Sequence, residues 1–171
     1  GGPMAKHPQL ATERAYIGLG SNIGNSLSTL RSAVTELGGL ADSRFVALSS
    51  FYRTSPVGLR NQPDFVNAVA AIDTRLAPEV LLAMLHAIEY RYGRVRRLPN
   101  GPRTLDLDLL LVGERVQVTP ELYLPHPRAH ERAFVLRPLI ELAPNIDIPG
   151  HGPARRLLLS LDNQTVTRLE T

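Results

Sequence analysis

At 171 residues and 43% hydrophobic content, the chain has enough length for one well-filled core and not for two. A net charge of +3 with 20% charged residues describes an ordinary surface, and no apolar run approaches the roughly 18 residues of a membrane helix, which argues against a membrane-spanning role. The absence of cysteine excludes disulfides and thiolate metal sites and fits the cytoplasm, where the protein is expected to act.

Residues 1–13 read as a tail without the apolar stretch of a signal peptide, and Gly1–Pro3, ahead of Met4, look like a cloning remnant. Residues 14–171 read as a single domain. The run Arg14–Gly20 predicts a first strand. Asn25 or Ser26 caps a helix whose Leu27, Leu30, Val34 and Leu37 recur at helical spacing, and Gly38-Gly39 stops it. Residues 43–54 are rich in β-formers, and Pro56, Gly58 and Pro63 mark a loop. Residues 65–74 alternate, with Phe65, Asn67 and Val69 on one side and Val66, Ala68 and Ala70 on the other. Pro78 opens a second helix, with Leu81, Leu85, Ile88 and Tyr92 as its stripe and Gly93 as its stop. After a basic loop comes a strand over 104–112. Gly113-Glu114 predicts a two-residue turn that folds residues 115–118 back as a hairpin partner of that strand. Pro120, Pro125 and Pro127 make 119–130 a loop. The helical segment 131–142 is predicted to break at Pro138, and 153–161 closes with a short helix. The order β-α-β-β-α-β with additions predicts an α+β fold, a ferredoxin-like split βαβ sandwich whose mixed or antiparallel sheet carries helices on one face.

The chemistry centres on GPRTLDLDLLL, residues 101–111. Alternation puts Asp106 and Asp108 on one strand face, with Cα atoms about 6.6 Å apart at a rise of about 3.3 Å per residue. An isolated D-x-D more often marks a solvated face. Here Arg94, Arg96, Arg97 and Arg103 stand just upstream. Carboxylates for Mg²⁺ beside guanidinium forks for phosphate oxygens are what a polyphosphate requires. The basic loop carries no aromatic residue between Arg94 and Arg103, which disfavours a single-stranded RNA platform and leaves no nucleic-acid partner expected. GLGSNIG, residues 18–24, misses the dinucleotide fingerprint by one position and reads as a tight turn with local Ser-Asn hydrogen bonds. Phe65, Asn67 and the distant Phe134 are what a flat heterocycle needs, although two phenylalanines are more often plain core. His126 and His130, in a Pro-rich loop, are a poor zinc pair.

Together, GSNIG, SSFYRTSPVG, NQPDFVNAV, GRVR, GPRTLDLDLLL and LPHPRAHERAFVLRPL, in this order from about Tyr16 to Pro149, closely resemble the 6-hydroxymethyl-7,8-dihydropterin pyrophosphokinases in their single-function form. The resemblance implies transfer of pyrophosphate from ATP to the pterin's hydroxymethyl oxygen, releasing AMP, as a step of folate biosynthesis. It implies that Asp106 and Asp108 hold two Mg²⁺ ions and that Arg94, Arg96 and Arg103 contact phosphates. His86, Glu89, Leu109, His126 and Arg132 then fall at nucleotide-site positions. The pterin lies between Phe65 and Phe134, hydrogen-bonded by Asn67 and by Thr54, Ser55, Pro56 and Val57. Asn100 stands where many relatives carry a lid tryptophan, and Pro127 where some carry tyrosine. The segments 56–64 and 94–103 are expected to close over ATP and pterin, the protein acting as a monomer. A nucleotide-sensing domain and an RNA-binding module of the same fold are the competing readings.

Overall fold

The computed structural model describes residues 11–56, 61–93 and 104–171. Strand β1 (Glu13–Ser21) leads to helix α1 (Ser26–Gly38), whose N-terminus is capped by Asn25 accepting the Ser28 N–H at 3.1 Å. Strands β2 (Ser43–Leu48), β3 (Tyr52–Thr54) and β4 (Phe65–Thr74) follow. Helix α2 (Pro78–Arg91) has Pro78 and Glu79 in its first turn, where a missing N–H costs little and a carboxylate meets the positive helix end. Beyond it lie β5 (Asp106–Val112), β6 (Gln117–Val118), β7 (Tyr123–Leu124), a 3₁₀ turn (Ala129–Glu131), α3 (Ala133–Leu142), β8 (Asp147–Ile148), β9 (Gly152–Pro153), α4 (Ala154–Leu159) and β10 (Val166–Arg168).

Among the described residues the central sheet has six strands, ordered β10-β3-β4-β1-β5, with β2 also on β4, and every pairing is antiparallel. β2 takes the Ala70–Thr74 half of β4 and β3 takes Phe65–Asn67, so the two act as one interrupted strand. Ser49 bridges the interruption: its N–H donates to the Val69 carbonyl and its hydroxyl accepts the Val69 N–H, both at 2.9 Å. Counting that pair once, the order is fourth-first-third-second, the ferredoxin-like split βαβ.

Helices cover both faces, not one. α1 and α2 pack Leu30, Leu37, Leu81, Leu85 and Ile88 on Ile17, Leu19, Ala68, Ala70, Ile72 and Leu107. On the opposite face, α3 and α4 pack Val135, Leu136, Leu139 and Ala154 on Tyr16, Val69, Ala71, Leu110 and Leu111. The second layer was legible in β1 and β4, which are apolar on both sides, as strands buried on two faces must be. Each fully buried leucine contributes about 1.5–3 kcal/mol.

Two further sequence expectations are corrected. Residues 117–118 pair with β7 rather than with β5. Gly113 turns at φ 52° and donates its N–H to the Arg14 carbonyl, while the Arg115 guanidinium clasps Glu13, so the chain swings toward β1. The Leu110 carbonyl on β5 takes the His126 N–H at 2.8 Å instead. Nor does Pro138 break its helix. α3 runs through it, because in so short a helix the ring deletes one hydrogen bond and is itself buried in the second layer. The break falls at Arg132, in extended backbone between the 3₁₀ turn and α3.

Candidate active site

The site grows from one row across the sheet. Register pairs Asp106 with Gly20, Gly20 with Asn67, and Asn67 with Tyr52; the next row pairs Asp108 with Gly18 and Gly18 with Val69. Opposed residues share a face, so the aspartates, the glycines and Asn67 all look toward the α3 layer, while Leu105, Leu107 and Leu109 point into the α1–α2 core. The alternation stops where a bulge opposite Tyr16 and Ile17 lets both Leu110 and Leu111 enter the second layer. The same-face expectation for Asp106 and Asp108 therefore holds over the stretch that carries them.

Gly18 and Gly20 lie inside β1, as the strand expected over Arg14–Gly20 has them, so of the turn expected from GLGSNIG only the part beyond Ser21 leaves the strand. A Cβ on Gly20 would stand 2.9 Å from Asn67 Oδ1, so glycine there lets the amide lie across the strand. Asn67 is 5% exposed and its Nδ2 donates to Thr54 Oγ1 at 2.7 Å. The local bonding expected of the Ser-Asn pair holds for Ser21, whose hydroxyl donates to Ser26 Oγ at 3.3 Å, while Asn22 adds a long-range tie. The buried Asn22 reaches about forty residues ahead, donating to Gln62 Oε1 and to the Pro63 carbonyl, both at 2.8 Å, and so ties the segment before β4 to the end of β1.

Two cavities open on these rows. The first, about 480 Å³, is lined by Thr54, Ser55, Pro56, Phe65, Asn67 and Phe134, with Gly18 and Gly20 beneath and Asn163 and Gln164 at its rim. The second, about 380 Å³, is lined by His86, Glu89, Leu109, His126, Glu121 and Tyr123. Asp106, Asp108 and Arg132 line both. Every described candidate residue thus falls into one of two adjoining cavities. Val57, Arg94, Arg96 and Arg103 lie outside the described residues, as do Arg97, Asn100 and the closing motion expected of 94–103. A groove of about 560 Å³ between α1 and α2, lined by Thr35, Glu36, Met84 and Arg91 among others, holds none of the candidates.

The electrostatics follow from burial. Arg132 is half-buried, and desolvation first, then Arg128, lower its pKa; Asp108, Glu131 and Asp106 act in the opposite sense. Its guanidinium stands 5.4 Å from the centre of the Phe134 ring. His126 is pushed from 6.5 down to about 4 by desolvation, with Arg132 and Arg128 adding to it. It is therefore neutral at pH 7. Its Nδ1 accepts the Arg128 N–H at 3.1 Å, which leaves Nε2 as the protonated, donating nitrogen. Buried Glu89, at the end of α2, accepts the Leu107 N–H through Oε2 at 2.8 Å and so pins the start of β5 to the helix. His130 stacks on His151, ring centroids 3.7 Å apart.

α3 is fastened at both ends. Glu141 accepts the Ser50 N–H (2.9 Å), the Ser50 hydroxyl (3.0 Å) and the Tyr52 hydroxyl (2.6 Å). Burial pushes the Tyr52 phenol up to about 12, so it stays a donor. At the other end Gln164 meets the backbone around Arg132. Glycines inside a strand could have announced the close approach at Gly20. Asn22, Glu141 and Gln164 carry no local sequence signal.

The donor set suits Mg²⁺. Two half-buried same-face carboxylates beside a cavity leave coordination positions for water and phosphate oxygens, as that ion requires. Among the described residues no group of three or more His, Cys, Asp or Glu could hold a metal, so no all-protein cage competes.

The family profile of 7,8-dihydro-6-hydroxymethylpterin-pyrophosphokinase matches residues 16–144. The chain is 45% identical to a 2-amino-4-hydroxy-6-hydroxymethyldihydropteridine pyrophosphokinase of Pseudomonas aeruginosa, covering 92% of this chain and 97% of that protein. It is 47% identical to the protein of the same name from Methylorubrum extorquens, covering 92% and 99%. A solved Plasmodium falciparum HPPK-DHPS chain superposes with a TM-score of 0.69 at 14% identity. It covers 89% of this chain, which spans 46% of that longer one, and the likeness is one of fold.

Proposed function

The chain belongs to the 7,8-dihydro-6-hydroxymethylpterin-pyrophosphokinase family, and from that premise we propose how its two cavities divide the reaction. The enzyme transfers pyrophosphate from ATP to the hydroxymethyl oxygen of 6-hydroxymethyl-7,8-dihydropterin, releasing AMP, in folate biosynthesis. In our reading the pterin occupies the larger cavity, its ring between Phe65 and Phe134 and its polar edge on Asn67. ATP occupies the cleft of His86, Glu89, Leu109 and His126. The observation that carries this division is the shared wall: Asp106, Asp108 and Arg132 border both cavities, so acceptor alcohol and phosphate chain meet there.

At that wall the alcohol oxygen bonds to the β-phosphorus of ATP. The bond from that phosphorus to the α–β bridging oxygen breaks, AMP departs with the oxygen, and the alcohol proton is lost to solvent. Asp106 and Asp108 would hold two Mg²⁺ ions, which when bound neutralise phosphate charge and acidify the alcohol. Arg132 adds a fixed positive charge beside the transferring group. Neutral His126 offers the nucleotide a donor and not a base. Asn67, locked by Thr54, orients the pterin, and the two rings exclude water from its faces. Arg94, Arg96 and Arg103 are assigned to the phosphates on their motif positions, and Ser55, Pro56 and Val57 to the pterin edge. The same reading has the enzyme acting in the cytoplasm as a monomer; among the described residues no helix is long and apolar enough to cross a membrane.

A coupled assay of AMP release with ATP, Mg²⁺ and the hydroxymethyl-dihydropterin tests the division. AMP release that depends on the pterin is expected. Mg–ATP binding without pterin-dependent AMP would turn the reading to a nucleotide-sensing domain.

A further inference from the structure

Gln164 sits in the turn before β10 and makes two opposed hydrogen bonds with one side-chain amide. Its Oε1 accepts the Ala133 N–H at 2.8 Å, and its Nε2 donates to the Glu131 carbonyl at 3.0 Å. Those two backbone groups flank Arg132, so the amide brackets that residue as a neighbouring β-strand would. The bracket fills a specific want. Ala133 is the first residue of α3, and its N–H has no acceptor within the helix. Arg132 occupies the capping position in extended backbone (φ −120°, ψ 111°) and offers no capping side-chain hydrogen bond. Its own N–H reaches the Ala129 carbonyl only at 3.5 Å. The extended link between 3₁₀ turn and α3 is therefore held from outside. The holder is itself anchored: the Gln164 N–H donates to Leu161 at 3.0 Å, and two residues later β10 joins the edge of β3.

We infer that Gln164 is a positioning residue for pyrophosphoryl transfer, acting through Arg132 by fixing the backbone that aims its guanidinium at the wall shared by both cavities. The inference rests on the reading that Arg132 serves the reaction, and that dependence sets the test. A double-mutant cycle pairs Gln164→Met, close in shape but without either hydrogen bond, with Arg132→Ala, reading kcat and KM for both substrates and the thermal midpoint.

Gln164→Met is expected to lower kcat/KM by about tenfold, as loss of two net hydrogen bonds that orient a charged group would. The loss should fall more on kcat than on either KM, with the midpoint lowered by several degrees but the enzyme still folded at the assay temperature. In the Arg132→Ala background the same substitution should change kcat/KM by less than about twofold. Equal losses in both backgrounds, or wild-type kcat/KM in Gln164→Met alone, overturn the inference and leave the role of Arg132 standing. Wild-type rates in Arg132→Ala alone overturn that role, and the inference with it. Should Gln164→Met not fold, Gln164→Glu replaces it in the cycle. It keeps the acceptor for Ala133 but sets a carboxylate oxygen against the Glu131 carbonyl, and additive losses there overturn the inference equally.

Discussion

Asp106 and Asp108 stand on one strand face, opposite glycines, in the wall between two cavities. An amide at position 108 keeps the shape and removes the charge a cation needs. Asp108→Asn should lower kcat by about a hundredfold or more, since the charge matters most where phosphate charge develops. Pterin binding by calorimetry should stay measurable, because the aromatic pair and Asn67 are untouched; a near-wild-type kcat would contradict the assignment. His126 makes a prediction about pH. Its folded pKa is depressed from 6.5 to about 4, chiefly by desolvation. Above pH 6.5 the imidazole is neutral whether folded or not, and its burial carries no ionisation penalty. As pH falls from 6.5 to 4 the unfolded chain takes up a proton that the folded chain refuses, and stability is lost, by up to about 3 kcal/mol. His126→Asn removes that share. Its thermal midpoint should therefore decline less than the wild type's between pH 7 and pH 4.5, and parallel declines would refute the account.

Strands and helices test the row that carries the site. Gly20 lies between Asp106 and Asn67, and Asn67 cannot easily retreat because Thr54 holds its amide at 2.7 Å. In Gly20→Ala the new methyl would meet Asn67 Oδ1 at 2.9 Å. The expected outcome is a pterin affinity lower by about tenfold with ATP-analogue affinity nearly unchanged, since one misplaced orienting hydrogen bond is worth about 1 kcal/mol or more. Calorimetry with each ligand separately decides it, and equal weakening of both would show that the strain spreads along β5. The principal strands and helices were legible because their periods are local: Leu81, Leu85 and Ile88 at helical spacing, Leu105, Leu107 and Leu109 at strand spacing. What escaped was set by partners. The pairing of residues 117–118 depended on a clasp between Arg115 and Glu13, about a hundred residues apart, and the helix break fell at Arg132 rather than Pro138 because Gln164 supports an extended backbone there.

Across the whole molecule, the two carboxylates and the aromatic pair that line the cavities stand in motifs the sequence displays, whereas the groups that hold them in place do not. Asn22, Glu141 and Gln164 act over 40, 91 and 31 residues of chain, and an Asn, a Glu or a Gln on a loop or helix end has no periodicity to betray it. The sheet order turns this into a prediction about distance. β10 closes the edge at β3, beside the cavity proposed for the pterin, while β5 with the cleft proposed for the nucleotide forms the opposite edge. Ending the chain after Thr165 removes β10, the Leu169 N–H donation to the Phe51 carbonyl, and the packing of Leu169 on the first core. Loss of that partly buried leucine and a short ladder, about 1–2 kcal/mol, should lower the thermal midpoint by about 3–8 °C. It also frees the edge of β3, whose Thr54 steadies Asn67, so pterin affinity should fall severalfold. ATP-analogue affinity, set four strands away, should hold within twofold, roughly the limit of additivity between distant sites. If nucleotide affinity fell as far as pterin affinity, the two ligands could not be divided across the sheet as proposed.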